Sequence, residues 1–348
     1  MGELLRTLLA FLTAAVLALG LCRLVINLRV MDAPTEARKT QKTAVPSAGG
    51  LGFALAAILS AIAVSLLTGW TLGGSLIAGV SGAVAYLAVG FADDTLHINA
   101  RWRLGIMTVI AVAMTLVGAR ADIFSLWPGL AVELPLVVAI LGSALWLVVL
   151  VNAVNFMDGA NGVSMGIAAI AATGLATASA LIGLWNIAFL SAALAGGLAG
   201  FLAWNVSGRL YAGDTGALFA GAMLGALSLE LVRLRPDLLF VPPILLMPYL
   251  SDVLLTLIWR ARHGKKLFEA HRDHVYQIAI KAGLRHWQVA AVHAFLAFNS
   301  AVFAVISALV GGPVPPIAFL VLLALSVWLH IWVRRLGVKA GLVGANIP

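Results

Sequence analysis

The sequence predicts an all-α fold, a polytopic membrane bundle of about eleven transmembrane helices with an active site built from cytoplasmic loops. Three observations carry this. Of the 348 residues, 62% are hydrophobic and only 10% charged, whereas a soluble domain is about half apolar and about a quarter charged. The apolar residues fall into runs long enough to cross a bilayer. Lys and Arg collect in alternate connections between those runs. One cysteine, Cys22, excludes a disulfide framework and a cysteine-based metal centre. The net charge of +8 would suit nucleic acid, but in so apolar a chain it reflects basic cytoplasmic loops, and no nucleic-acid partner is expected. No repeat or long linker divides the chain, so residues 1–348 read as a single integral-membrane domain.

The expected spans are 3–27, 48–68, 74–91, 104–119, 134–153, 162–183, 185–204, 213–231, 238–258, 288–311 and 315–334. The first begins like a secretory signal. Its apolar run continues to about Val30 without a small-residue cleavage site, so it reads as an uncleaved span. Of 22 Lys and Arg, 17 lie in odd-numbered connections or the C-terminal tail. Arg6, Arg120, Arg233 and Arg235 lie opposite, and Arg23 lies within the first span. The positive-inside rule therefore places the odd connections and the C-terminus in the cytoplasm and the N-terminus outside. The carboxylates Asp32, Glu36, Asp93, Asp94, Asp158, Asp214, Glu269 and Asp273 follow the same side, and Asp252 lies near the inner end of the ninth span. A transporter would place ionisable groups near the midplane. This distribution favours chemistry on cytosolic substrates.

The first connection joins Asp32–Ala33–Pro34, Arg38–Lys39 and Lys42 to Pro46–Ser47–Ala48–Gly49–Gly50. Basic residues beside a Gly-Gly that opens a span suit a phosphate or lipid headgroup, or simply anchor the loop inside. In the third, the adjacent Asp93 and Asp94 precede Arg101, Trp102 and Arg103. Two neighbouring carboxylates require a cation or a proton between them, which suits a divalent metal or a proton acceptor. The fifth, Asn152–Ala153–Val154–Asn155–Phe156–Met157–Asp158–Gly159–Ala160–Asn161–Gly162, reads as a polar turn. Asn155, Asp158 and Asn161 recur every three residues, so a helical turn would stack them on one side as oxygen ligands for Mg²⁺ or a nucleotide. The plain alternative is a hydrophilic loop with helix caps. In the seventh, Gly213–Asp214–Thr215–Gly216 opens a span, offering N–H groups and a carboxylate to a metal-bound phosphate, or Asp214 as an N-cap. The ninth runs from Arg260, Arg262, His263, Lys265 and Lys266 to His271–Arg272–Asp273–His274. Such cations and imidazoles suit a pyrophosphate, whereas two His three apart without other strong ligands make a poor zinc site.

Taken in order from Asp32 to Gln277, these segments resemble the polyprenyl-phosphate N-acetylhexosamine-1-phosphate transferases. The resemblance rests on Asp-x-Pro with Pro-x-x-Gly-Gly, the Asp-Asp pair, Asn-x-x-Asn-x-x-Asp-Gly-x-x-Gly, the Gly-Asp-x-Gly turn and the Arg-x-His loop. It implies transfer of a sugar 1-phosphate from a UDP-N-acetylhexosamine to undecaprenyl phosphate, with UMP released. Mg²⁺ is then required, and Mn²⁺ is a possible substitute. It also implies a bacterial inner membrane, and it admits a homodimer. By resemblance, Asn155 and Asp214 are the metal ligands, and Asp93, Asp94, Asp158 and His274 are catalytic. Lys42, Arg103, Asn161 and Arg272 bind substrate. The chain departs from the family at Asn161, where a second Asp is common, and at Ala217, where Ser is common. It departs again at Val206–Ala212 and at Tyr276 and Gln277, where other members have histidines. The last departure resembles the O-antigen-initiating branch and not the peptidoglycan enzyme. Two rivals remain, a transporter or flippase and an inactive lipid-binding relative.

Overall fold

The computed structural model describes residues 2–28, 31–32, 45–46, 48–266 and 271–342. Lys42, with Arg38 and Lys39, lies outside the described residues. In chain order the elements are α1 (Glu3–Leu28), β1 (Met31–Asp32), β2 (Val45–Pro46), α2 (Gly49–Thr68), α3 (Gly74–Leu96), α4 (Ala100–Leu116), β3 (Ile123–Trp127) and β4 (Leu130–Glu133). There follow α5 (Leu136–Met157), α6 (Ser164–Leu181), α7 (Trp185–Asn205), α8 (Gly213–Leu234), α9 (Val241–Leu245), α10 (Met247–Arg262), α11 (Val275–Lys281), α12 (His286–Val310) and α13 (Val314–Lys339).

All eleven expected segments are helical. Among the described residues nine are long and apolar enough to cross a membrane. The fourth, α4, has 17 residues and is shorter than these. The ninth is not one straight helix as expected. It is broken into a short 3₁₀ turn with α9 and then α10, bent by 74°. Pro242, Pro243 and Pro248 crowd the break, and each removes a backbone donor that a continuous helix would use. Helices dominate because lipid offers no partner for backbone N–H and C=O groups, which a helix satisfies internally.

Helix α8 is the axis of the bundle. Its most apolar stretch is 89% buried, against 17% for α13. Its Gly216, Ala217, Ala220, Gly221, Ala222, Gly225 and Ala226 are small, so neighbouring backbones approach closely. At its start it crosses α2 glycine on glycine: a Cβ on Gly216 would lie 2.8 Å from the Gly50 Cα. The Gly49 and Gly50 N–H groups donate to the Tyr211 and Ala212 carbonyls, each at 2.9 Å. The Gly-Gly, read as suiting a phosphate or headgroup or simply as part of an anchoring loop, is a seam between two helix starts.

The outer helices follow the same logic on one face. In α1 the buried Thr7, Ala10, Ala14, Ala18 and Cys22 form one stripe of small residues, and most of its leucines face outward. The two short sheets are antiparallel. Met31 pairs with Pro46. Strands β3 and β4 form a hairpin turned at Gly129, whose φ of 79° suits glycine.

Candidate active site

The motif-bearing connections meet at one end of the bundle, and Asp214 is where they meet. It stands in the first turn of α8. The Asn155 amide donates to its Oδ1 at 2.7 Å. Arg103 at the start of α4 pairs with its Oδ2 and, through the same nitrogen, with Asp93 Oδ2. Helices α4 and α5 therefore deliver side chains to one carboxylate, and α3 joins them through Asp93 on Arg103.

The two adjacent aspartates of α3 do not share a partner. Successive helix positions point about 100° apart, and here they serve different purposes. Asp93 is buried against Arg103. Asp94 accepts from the Asp214 N–H (2.9 Å), the Thr215 N–H (3.0 Å) and the Thr215 hydroxyl (2.6 Å). It closes the open end of α8 with a charge that suits a helix N-terminus. The positive charge that the Asp-Asp pair requires thus comes from a guanidinium and a helix end. The α8 N–H groups, read as open to a metal-bound phosphate or to an Asp214 cap, donate to Asp94. Gly90 makes this contact possible, because a Cβ there would lie 2.5 Å from the Asp214 carbonyl oxygen and 2.6 Å from the Thr215 Cα.

The polar stretch after α5 is a turn only in its second half. Asn152 to Met157 are helical, which carries Asn155 to Asp214. Asp158 ends the helix, half-buried. Burial, with the Asp214 and Asp94 charges nearby, pushes its carboxyl up from 3.8 to about 8. Asn161 does not stack with these two. Its amide nitrogen lies against Gly208, 2.9 Å from where a Cβ would stand. Arg103, expected on a substrate phosphate, is engaged by Asp93 and Asp214.

The His271–His274 segment forms a second cluster beside the first. His274 caps α11 and sets its Nδ1 3.2 Å from Asp252 Oδ1. His271 stacks on it at 5.0 Å between ring centroids. Burial, then the neighbouring His274 and Arg260, push His271 down to about 4, so it is neutral at neutral pH. Against its own burial, Lys265 and Arg260 hold Asp273 below the usual carboxylate range. Arg272 is half-buried between them, and its carbonyl accepts from Lys281 at 2.8 Å. Tyr276 bridges the clusters. Its hydroxyl donates to the Phe156 carbonyl at 3.1 Å and lies where a Cβ on Gly159 would be.

Sequence reasoning assigned no role to Asn205, Thr215, Asp252 or Arg334, although the first three lie in or beside segments it singled out. Asn205 accepts from the Gly162 N–H (2.8 Å) and donates to the Leu210 carbonyl (2.9 Å), tying the fifth connection to the seventh. The available signal was an amide or charge inside an apolar run, where a polar group requires a partner.

An apolar helical bundle with a carboxylate cluster at one end of its most buried span defines a polytopic membrane protein with an ionic site at one end. A family model described as glycosyl transferase family 4 matches residues 76–232, which carry the Asp214 cluster. The chain is 32% identical over 285 residues to the phospho-N-acetylmuramoyl-pentapeptide-transferase of Symbiobacterium thermophilum, covering 75% of this chain and 84% of that one. It is 26% identical to the probable undecaprenyl-phosphate N-acetylglucosaminyl 1-phosphate transferase of Bacillus subtilis, covering 80% and 77%. It is 28% identical to the decaprenyl-phosphate N-acetylglucosaminephosphotransferase of Mycobacterium leprae, covering 80% and 78%. The chain belongs to the polyprenyl-phosphate hexosamine-1-phosphate transferase family.

Proposed function

We propose that this protein transfers an N-acetylhexosamine 1-phosphate from a UDP-sugar to undecaprenyl phosphate. An oxygen of the lipid phosphate attacks the sugar-bearing phosphorus of the donor, the bond to the UMP oxygen breaks, and UMP leaves. The observation that carries this reading is the convergence of Asp93, Asp94, Arg103, Asn155 and Asp158 around Asp214 at one end of the bundle. Phosphoryl transfer needs positioning and charge stabilisation above all.

The residues present fit Mg²⁺. Among the described residues no three His, Cys, Asp or Glu side chains converge as a closed metal cage. Mg²⁺ does not ask for one, since it binds through one or two carboxylates plus substrate phosphates. Asp214 and the Asn155 amide oxygen would hold it, with Asp158 beside them. Bound there, Mg²⁺ would neutralise the diphosphate and the charge developing on departing UMP. In its ionised form, which a bound cation would favour, Asp158 would take up the proton that a protonated lipid phosphate sheds. Arg272 and His274 would hold donor phosphate, and Asn161 beside Gly208 would contact the nucleotide. Asp94 acts by fixing α8, and Arg103 by holding Asp214.

The excess of Lys and Arg on the site side supports an active site facing the cytoplasm of a bacterial inner membrane, with the N-terminus periplasmic. Tyr276, in place of a histidine, supports the branch that initiates O-antigen and related lipid-linked glycans. The test uses purified protein in detergent with undecaprenyl phosphate, Mg²⁺ and a panel of UDP-N-acetylhexosamines including UDP-N-acetylmuramoyl-pentapeptide. UMP released only with lipid and metal is the expected result. Release of UDP would mean ordinary glycosyl transfer and would contradict the proposal.

A further inference from the structure

Among the charges inside spans that take no direct part in the Asp214 cluster are Asp252 on α10 and Arg334 on α13. They are 5% and 3% exposed. A charge inside a span is costly unless partnered, so its partners indicate its use.

Asp252 accepts from the Val275 N–H at 2.9 Å and the Tyr276 N–H at 3.3 Å, and it lies 3.2 Å from His274 Nδ1. Thr256, one turn along α10, donates to the same carboxylate at 3.3 Å. Arg334 donates to the Thr256 hydroxyl at 2.9 Å, to the Asp273 carbonyl at 2.7 Å and to His330 Nε2 at 2.6 Å. Its guanidinium also covers the Trp259 ring, 4.2 Å from the centroid. The two charges thus grip opposite sides of one short segment: Asp252 holds residues 274–276, and Arg334 holds residue 273. Thr256 connects them.

The grip has a chemical consequence. A neutral imidazole carries its proton on one nitrogen, and the partner of that nitrogen selects the tautomer. A carboxylate at Nδ1 takes the Nδ1–H and leaves Nε2 as the nitrogen for substrate; to donate to a phosphate oxygen Nε2 must carry a proton as well, so the phosphate-holding ring is an imidazolium paired with Asp252. The donors on Val275 and Tyr276 fix the backbone from which the ring projects, so its direction is set as well.

We propose that Asp252 and Arg334 are positioning residues for the transfer, forming a two-charge frame across α10 and α13 that holds the Arg272–Asp273–His274 segment and sets the His274 ring. The inference rests on the reading above, in which this segment holds donor phosphate. It adds the last span, beyond residues 76–232, to the machinery of the reaction.

The test is a double-mutant cycle. Asp252→Asn, Arg334→Lys and His274→Asn are made singly, and each of the first two is combined with the third. For each variant kcat, KM for the donor, UDP affinity and thermal unfolding are measured. Asp252→Asn is expected to lower kcat by about 100-fold, the scale of losing one positioned electrostatic contact to the transferring group. Arg334→Lys, which keeps the charge and loses the fork, is expected to lower it by about 10-fold. On the His274→Asn background each further loss falls below about 3-fold, because both residues act through the same ring. A merely structural contribution would instead multiply equally on both backgrounds and would overturn the frame. Asp252→Asn with normal kcat and UDP affinity would do the same. Arg334→Lys keeps the question decidable if Asp252→Asn fails to fold. Wild-type protein that neither releases UMP nor binds UDP would overturn the reaction itself, a result distinct from either failure of the frame.

Discussion

The two ends of this bundle use charge in opposite ways. At the end away from the site, each described arginine pairs with an acid two or three residues away: Arg6 with Glu3, Arg120 with Asp122, Arg233 with Glu230 and Arg235 with Asp237. At the site end the partners of Asp214 lie 59 to 120 residues away in the chain, and Arg334 reaches 61 residues to Asp273. Local pairs neutralise charge and organise little. Long-range pairs fix where helices start and how connections sit, so they couple the packing of apolar spans to the geometry of a reacting centre.

The largest expected break in this contrast is at Asp214. Asp214→Asn removes the charge while keeping the shape, and turnover is expected to fall by about 10²–10³-fold, the scale of losing one electrostatic stabiliser. Gly90→Ala should come next, since overpacking a close backbone contact costs about 1–3 kcal/mol. It is expected to lower both thermal stability and turnover by pushing α3 from the start of α8. Asp94→Ala should cost about 1–2 kcal/mol as the loss of a helix cap, and turnover should fall because Asp214 rides on the helix end that Asp94 closes. Unfolding and kinetics on the same preparations separate these cases. Asp214→Asn loses turnover alone, whereas the other two lose stability and turnover together.

Smaller effects sharpen the contrast. The Asp158 carboxyl is raised from 3.8 to about 8, chiefly by burial. The folded protein therefore holds this proton more tightly than the unfolded chain does. The stability it contributes is complete below about pH 4 and is lost as pH rises toward 8. Without Mg²⁺ the unfolding temperature should fall across that window, and Asp158→Asn should flatten the slope. Added Mg²⁺ should also flatten it, since a cation favours the carboxylate. The smallest effect is at the far end. Arg235→Ala breaks an exposed pair whose typical worth is about 0–1 kcal/mol, and turnover should be unchanged.

Much of the fold was legible from the sequence because lipid imposes simple rules. An apolar run of spanning length must be helical, and all eleven segments are. The break near Leu246 was not anticipated because a hydropathy pattern carries no angle, although Pro242, Pro243 and Pro248 marked it. The β3–β4 hairpin was unforeseen because its residues are too few to stand out from a polar connection. At the site, the motif residues Asp93, Asp94, Arg103, Asn155, Asp158 and Asp214 were legible as types, but their partners were not. Asp94 reads as one of two adjacent carboxylates, and only the structure shows that Gly90 lets it meet the start of α8. Gly49–Gly50 suits a phosphate or an anchoring loop in the sequence, whereas in the structure the Tyr211 and Ala212 carbonyls occupy its N–H groups. Asp252 and Arg334 were hidden for the same reason: their contacts span 22 and 61 residues, and no spacing in the sequence encodes those.

The most direct test of the central claim is UMP release by purified wild-type and Asp214→Asn protein, with the unfolding temperature of each measured in parallel. The account predicts metal- and lipid-dependent UMP from the wild type, and almost none from a variant that unfolds at nearly the same temperature. Comparable UMP release from the two would show that the carboxylate on which these connections converge is not the centre of the reaction.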